Sequence, residues 1–315
     1  IFNGNRLASL SRDVNILLQK QVRDEVLIKT EEKYWQIISL NDKITTINRY
    51  AEFLDKLLKK VEDSFNAGIS LKNDVLKVRQ KKTEVELNKS KLENAIQLAT
   101  MAFCQYIGIS YDGSIVLTDR LVMQTRPEDI YVNNSDVIAN RAEYQLLKKS
   151  LEAEELKTRL KLGEYMPLVG VGIMSLYTQF DNNKWNDNKM AYFSATVPIS
   201  DWWGASYSLK ERDIREKIEK NNKGDKTGLL NLQMEKAWKD VEDAYKQLSL
   251  SGMYRDQAEE NFNISMDSYN NGIVDLSDLL EAEAIFQQSE SQLIDAKVNY
   301  RLNEIRYLQV TGRDF

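Results

Sequence analysis

Ser64-Phe-Asn-Ala-Gly-Ile-Ser-Leu-Lys-Asn-Asp-Val-Leu76 recurs in altered form as Ser268-Tyr-Asn-Asn-Gly-Ile-Val-Asp-Leu-Ser-Asp-Leu-Leu280. Ser, Asn, Gly, Ile, Asp and the final Leu keep their places, and Phe65 is matched by Tyr269. Each copy lies between two long stretches of helical periodicity, so each reads as the tip of a helical hairpin. Glycine supplies the left-handed backbone that such a turn uses. Repeated units of this kind bury a continuous core by stacking on their neighbours. The pattern points to rods standing side by side, as in the wall of a tube.

The flanking sequence supports the rods. Between Asn5 and Ala67 there is neither glycine nor proline, and apolar residues such as Leu10, Val14, Leu17, Ile37, Leu40, Ile44, Ile47, Leu57 and Val61 recur at helical steps. A helix of some 60 residues would run ~90 Å. A second helix is predicted from Leu71 to Tyr106, with Val75, Val78, Val85, Leu92 and Ile96 on its seam. Residues 107–135 lack that period and form a connector, with a short strand expected near Ser114–Leu117. A third helix follows over 136–165, stopped by Gly163 and Pro167. A fourth runs from about Ala205 to Ser268, with a kink or loop possible at Lys223-Gly-Asp-Lys-Thr-Gly228. The last covers about Leu276 to Gly312.

Between the third and fourth helices the period changes. Leu168–Phe180 has strand composition, and Met190–Ile199 alternates Ala191, Phe193, Ala195 and Val197 against Tyr192, Ser194 and Thr196. With the polar loop Asp181–Lys189 between them, they predict a β-hairpin of unusually long strands. An apolar face opposite a small-polar face suits a membrane barrel. Tyr165, Tyr177, Trp185, Trp202 and Trp203 flank the pair where an interfacial girdle would sit. A soluble sandwich hairpin fits the same alternation. One hairpin cannot close a barrel, so the membrane reading needs several copies.

Composition removes other classes. The 315 residues carry a net charge of −5, against a nucleic-acid partner. With no histidine and one cysteine, zinc sites and histidine-based catalysis are excluded or very poor, and no cofactor motif or phosphate-binding glycine loop appears. Enzymatic activity is not expected. Cys104, in the apolar run Ala99–Tyr106, reads as a small core residue.

In order and spacing these features resemble the TolC-like outer-membrane channels of efflux and type I secretion systems. Tyr269-Asn-Asn-Gly-Ile-Val-Asp-Leu-Ser-Asp-Leu-Leu-Glu-Ala282, leading into the helix that ends Tyr300-Arg-Leu-Asn-Glu-Ile-Arg-Tyr-Leu-Gln-Val-Thr-Gly312, is similar to that family's last hairpin. Gly163-Glu-Tyr-Met-Pro167 is similar to its entry into the barrel, Val197-Pro-Ile-Ser-Asp-Trp202 to the exit, and Ile1-Phe-Asn-Gly4 to the exit's counterpart in the first repeat. The resemblance implies a mainly α fold: two long antiparallel coiled-coil hairpins plus a β-hairpin contributed to a trimeric transmembrane β-barrel. It divides the chain into a strand tail at 1–5, a hairpin at 6–106, the connector at 107–135, a helix at 136–165, a barrel hairpin at 166–203, a second helical hairpin at 204–312 and a tail at 313–315. Part of the first repeat is then expected upstream of Ile1, and a chain with one β-hairpin is not expected to close the native barrel alone.

The same resemblance implies a homotrimer in the outer membrane of a Gram-negative bacterium, with a periplasmic helical tunnel. It would meet outer-membrane lipid, a periplasmic adaptor and an inner-membrane pump. Asp74, Asp278 and Glu281, gathered by three-fold symmetry, would line the periplasmic mouth, with Tyr269 beside them. Acids at a helix N-terminus are also explained by the helix dipole alone. The place of a family arginine near the turn is taken by Val274. Gly68, Ile69, Gly272 and Ile273 form the turns on which the adaptor would dock; alternatively both isoleucines staple their own hairpins. Tyr165, Tyr177, Trp202 and Trp203 would mark the membrane interface. A periplasmic adaptor or a coiled-coil scaffold are the other readings, the first wanting one helical hairpin and the second no strand pair.

Overall fold

Helical bonding runs almost without interruption wherever glycine and proline are scarce. The structure, a computed structural model, describes residues 2–113, 115–120, 126–179 and 185–313. Helix α1 spans Phe2–Asn66 and α2 spans Lys72–Ile107. Two single turns follow, α3 at Pro127–Ile130 and α4 at Asn134–Val137, and then α5 at Ala142–Glu164. Strands β1, Leu168–Gln179, and β2, Trp185–Thr196, lead to α6 at Trp202–Asn270 and α7 at Leu276–Val310. The chain is mainly α, with two long helical hairpins and one β-hairpin.

Four local expectations are corrected. Residues 2–5 belong to α1 rather than to a strand tail. The described sheet contains only β1 and β2, so no strand edge takes up their backbone groups, and i→i−4 bonds do so instead. Helix α6 passes through residues 223–228 without a loop. Two helical glycines there cost about 1 kcal/mol each at most, too little to break a helix bonded on both sides. The expected helix over 136–165 is interrupted: a 3-10 turn at Ile138–Asn140 leads to Arg141, which is extended (ψ 131°) before α5 begins. The Arg141 side chain is buried and donates to Gln233 Oε1 at 3.2 Å, which anchors the break. Residues 115–117 form no strand; Leu117 packs instead against the cluster of Trp35, Ile38 and Ile305. Ser114 lies outside the described residues.

Packing divides the chain into two units, residues 1–21 with 142–230 and residues 22–141 with 231–315. In the first, Leu10 and Leu156 are buried, and polar links join the helical segments. Lys149 Nζ meets Asp13 at 3.1 Å, while Arg212 donates to the Glu154 carbonyl at 3.0 Å and to its carboxylate. Burial is the largest single influence on the Glu154 carboxyl and pushes its pKa up, but the hydrogen bonds and charges of Lys157 and Arg212 together outweigh it and hold the pKa below its ordinary value.

The second unit is packed around separate apolar clusters. Ile47, Tyr50, Leu54, Leu57 and Val61 of α1 meet Val75, Val78 and Val85 of α2 and Leu276 and Leu279 of α7. A second cluster joins Ile130 of the connector to Trp238, Val241 and Leu248 of α6 and to Tyr300 and Tyr307 of α7. The Tyr307 hydroxyl accepts from the Val132 amide at 3.1 Å and so ties the connector to α7. Cys104 is buried and free, as a small core residue would be.

Candidate functional site

Both hairpin tips use the same backbone solution. After α1, the Gly68 amide donates to the Phe65 carbonyl at 2.9 Å and the Ile69 amide to the Ser64 carbonyl at 2.9 Å. After α6, Gly272 donates to Tyr269 at 3.0 Å and Ile273 to Ser268 at 2.8 Å. This pair of bonds closes a helix when the residue after it adopts φ near +60°, and Gly68 and Gly272 have φ 75° and 70°. The repeated Ser-aromatic-Asn-x-Gly-Ile is thus the sequence of one helix stop, written twice.

The two tips lie side by side. Lys60 Nζ donates to Asn270 and stands 5.3 Å from the centre of the Tyr269 ring, and Lys77 Nζ donates to Ser277 Oγ at 2.8 Å. Leu276 and Leu279 sit in the same cluster as Val61, Val75 and Val78. Tyr269 packs at the edge of that cluster, and burial, with the nearby Asp74 charge, raises its phenol pKa.

The tips differ in how the next helix starts. Leu71 precedes α2 and has no polar side chain, so Asp74 Oδ2 reaches back to accept from the Leu71 amide at 3.2 Å. At the matching place before α7 stands Asp275, whose Oδ1 accepts from the Ser277 amide at 2.7 Å and the Asp278 amide at 3.0 Å. Those two bonds hold the Asp275 carboxyl below its ordinary pKa. Of the three acids assigned to a mouth, Asp74 is therefore engaged in a cap, whereas Asp278, on the first turn of α7, and Glu281, on the second, are exposed. Asp275 was not singled out from the sequence, although Asp ahead of Leu-Ser-Asp is a helix-start signal.

A depressed carboxyl contributes stability above its ordinary pKa of 3.8 and loses it as pH falls through the folded value. Asp275→Ala is accordingly expected to speed amide exchange at Ser277 and Asp278 at pH 7 and to leave Lys72–Val75 unchanged. Equal exchange in variant and parent would show that the cap holds nothing.

Ile69 and Ile273 are 82% and 75% exposed, so neither staples its own hairpin. Each stands beside a tight turn as an uncovered apolar side chain.

In the other unit, β1 and β2 pair in antiparallel register from Leu168↔Thr196 to Gln179↔Trp185. The second strand starts earlier than its apolar residues suggest, because backbone pairing recruits Trp185–Lys189 from the expected polar loop. Residues 180–184 of that loop lie outside the described residues. Val169, Val171, Ile173, Ala191, Phe193 and Ala195 share one face, with Val171 and Ile173 81% and 83% exposed. The opposite face carries Gly170, Gly172, Tyr192 and Ser194, and the Tyr192 ring lies over Gly172, where a Cβ would come within 2.6 Å of it.

Of the flanking aromatics, Trp202 Nε1 donates to the Tyr165 carbonyl at 2.9 Å, joining the two ends of the hairpin. Trp203 is 86% exposed, and Tyr207, one turn further along α6, is exposed as well. Tyr207 was missed by sequence reading; its i+4 spacing from Trp203 was the available signal. Tyr177 occupies the β1 position opposite Asp187, and its side chain lies outside the described residues. No helix among the described residues is long and apolar enough to cross a membrane.

No protein-family model and no curated protein sequence matches the chain. Solved structures do. The outer-membrane channel OprN superposes with a TM-score of 0.83 at 13% identity, covering 99% of this chain and 71% of that one. The open state of the Neisseria gonorrhoeae MtrE outer-membrane channel gives 0.82 at 13% identity, with 99% and 71% covered. The outer-membrane protein VceC from Vibrio cholerae gives 0.77 at 15% identity, with 99% and 76% covered. The chain has the fold of these TolC-like outer-membrane proteins.

Proposed function

We propose that this chain, which has the TolC-like fold, is the wall-forming subunit of an outer-membrane export channel that works with an adaptor and an inner-membrane pump. The observation that carries the reading is the β-hairpin. Val169, Val171, Ile173 and Phe193 form an exposed apolar face on strands of 12 residues each, more than the ~9–11 that span a bilayer. A two-stranded sheet with an uncovered apolar face and two open edges is stable in lipid only when further strands close it. Neighbouring subunits of a homotrimer bring strands to those edges, and Trp202, Trp203, Tyr165 and Tyr207 then fall at the interface with the headgroups.

The helical hairpins form the periplasmic conduit in this reading. Asp278 and Glu281, exposed beside the Gly272 turn, place carboxylates at its mouth, where they favour cations and bind multivalent ones tightly enough to block the pore. Asp74 contributes field more than contact, since its carboxylate caps α2. Ile69 and Ile273 supply the apolar points on which an adaptor's helices dock.

Conductance of the intact protein in planar bilayers tests the assignment. Asp278→Asn with Glu281→Gln is expected to reduce cation preference and to abolish block by a trivalent cation, with the pore still formed. Unchanged selectivity and block would remove these residues from the mouth, and absence of any conducting pore would remove the channel reading itself.

A further inference from the structure

We propose that the groove between α1, α6 and α7 lined by Tyr50, Phe53, Phe262, Glu283 and Phe286 is a binding site for a monovalent organic ammonium ion. It encloses about 220 Å³. Its wall is a run of rings: Tyr50 stacks on Phe53 at 6.3 Å between centres, Phe53 meets Phe262 edge-on at 5.4 Å, and Phe262 stacks on Phe286 at 5.7 Å. Glu283 and Tyr50 are each only 4% exposed, yet Glu283 Oε2 and the Tyr50 hydroxyl are buried with no hydrogen-bond partner. The two groups act on each other, the Tyr50 hydroxyl favouring the charged form of Glu283.

The neighbouring cations are already engaged. Arg49 is held by Glu290 at 3.0 Å and by Thr46 at 3.2 Å, and Lys81 pairs with Glu84 at 2.9 Å. Burial pushes the Glu283 carboxyl up to about 8; the Tyr50 hydroxyl and Lys81 favour its charged form, and Glu290 opposes it. The groove therefore offers one uncompensated acid inside an aromatic wall.

Ligand chemistry follows from that inventory. Aromatic faces attract cations, and an ammonium with a hydrocarbon body satisfies the rings and the carboxylate together. A hard metal ion needs six or more oxygens, and no group of three or more acidic or sulfur ligands occurs among the described residues. An anion would meet Glu283 and Glu290. A neutral hydrocarbon would leave Glu283 Oε2 unpaired, at the cost of burying a bare polar atom. The volume suits a benzyl-sized body with a small head.

Titration calorimetry of the intact protein with benzyltrimethylammonium, whose charge does not change with pH, tests this. Saturable binding is expected, tightening from pH 6 to 9 with release of a proton as Glu283 ionises. Glu283→Gln is expected to weaken binding at pH 8 at least ~10-fold and to remove the proton release. Phe262→Leu, which keeps the acid and removes a ring, is expected to weaken binding while keeping the pH dependence. No saturable binding, or equal affinity in parent and Glu283→Gln, overturns the site and leaves the groove to water.

Discussion

Glu283→Gln is expected to abolish a loss of stability that the parent protein suffers between pH 4.5 and 8. The carboxyl is buried within the seam of the helical hairpins, and its pKa is raised from 4.5 to about 8 in the folded chain. A group whose pKa is raised on folding binds its proton more tightly in the native state. Its contribution is therefore complete below the unfolded value and is lost as pH rises through the folded one. Between pH 4.5 and 7 that amounts to about 3 kcal/mol, at 1.36 kcal/mol per unit. Asp275 and Glu154 lie below their ordinary values and act at lower pH with the opposite sign, whereas Asp42 is raised by burial and is present in parent and variant alike. Denaturation of parent and variant across pH 5–8 isolates the effect: the parent's midpoint falls with rising pH and the variant's stays level. Parallel profiles would mean that water reaches Glu283 and that it titrates normally.

Leu279→Ala is expected to destabilise the second unit by about 2–5 kcal/mol, the range for emptying a fully buried leucine site. Leu279 is completely buried and belongs to the cluster where α7 meets α1 and α2. The cost falls at the high end if the facing residues cannot collapse into the space. Val61 and Val78 are β-branched and stiff at χ1, which limits that collapse. Because Leu279 lies one turn from the Gly272 tip, the loss is expected to appear as faster amide exchange over both turns before global unfolding. Leu280→Ala, at the adjoining half-buried position, serves as the comparison and is expected to cost less. Equal effects at the two positions would contradict the packing of the two hairpins against one another.

The sequence by itself determined the repeating hairpins, their two glycine stops and the change from helical to strand period after Pro167. These features are local. A Schellman stop needs only a residue that accepts positive φ, and a rod needs only apolar residues at steps of three and four without glycine or proline. Tertiary structure decided the rest. Whether residues 2–5 are strand or helix depends on a partner edge, and how far β2 reaches depends on what β1 offers opposite Trp185–Lys189. Asp74 and Asp275 look alike as acids near a turn, yet only the geometry of each helix start shows which amides they hold. Glu283 follows Leu276 and Leu279 at seam spacing, a pattern visible in the chain, but its burial among Tyr50, Phe53 and Phe262 is non-local: those side chains come from helices more than a hundred residues earlier or on the preceding arm. Periodicity specifies which face of a helix is covered; only packing specifies by what.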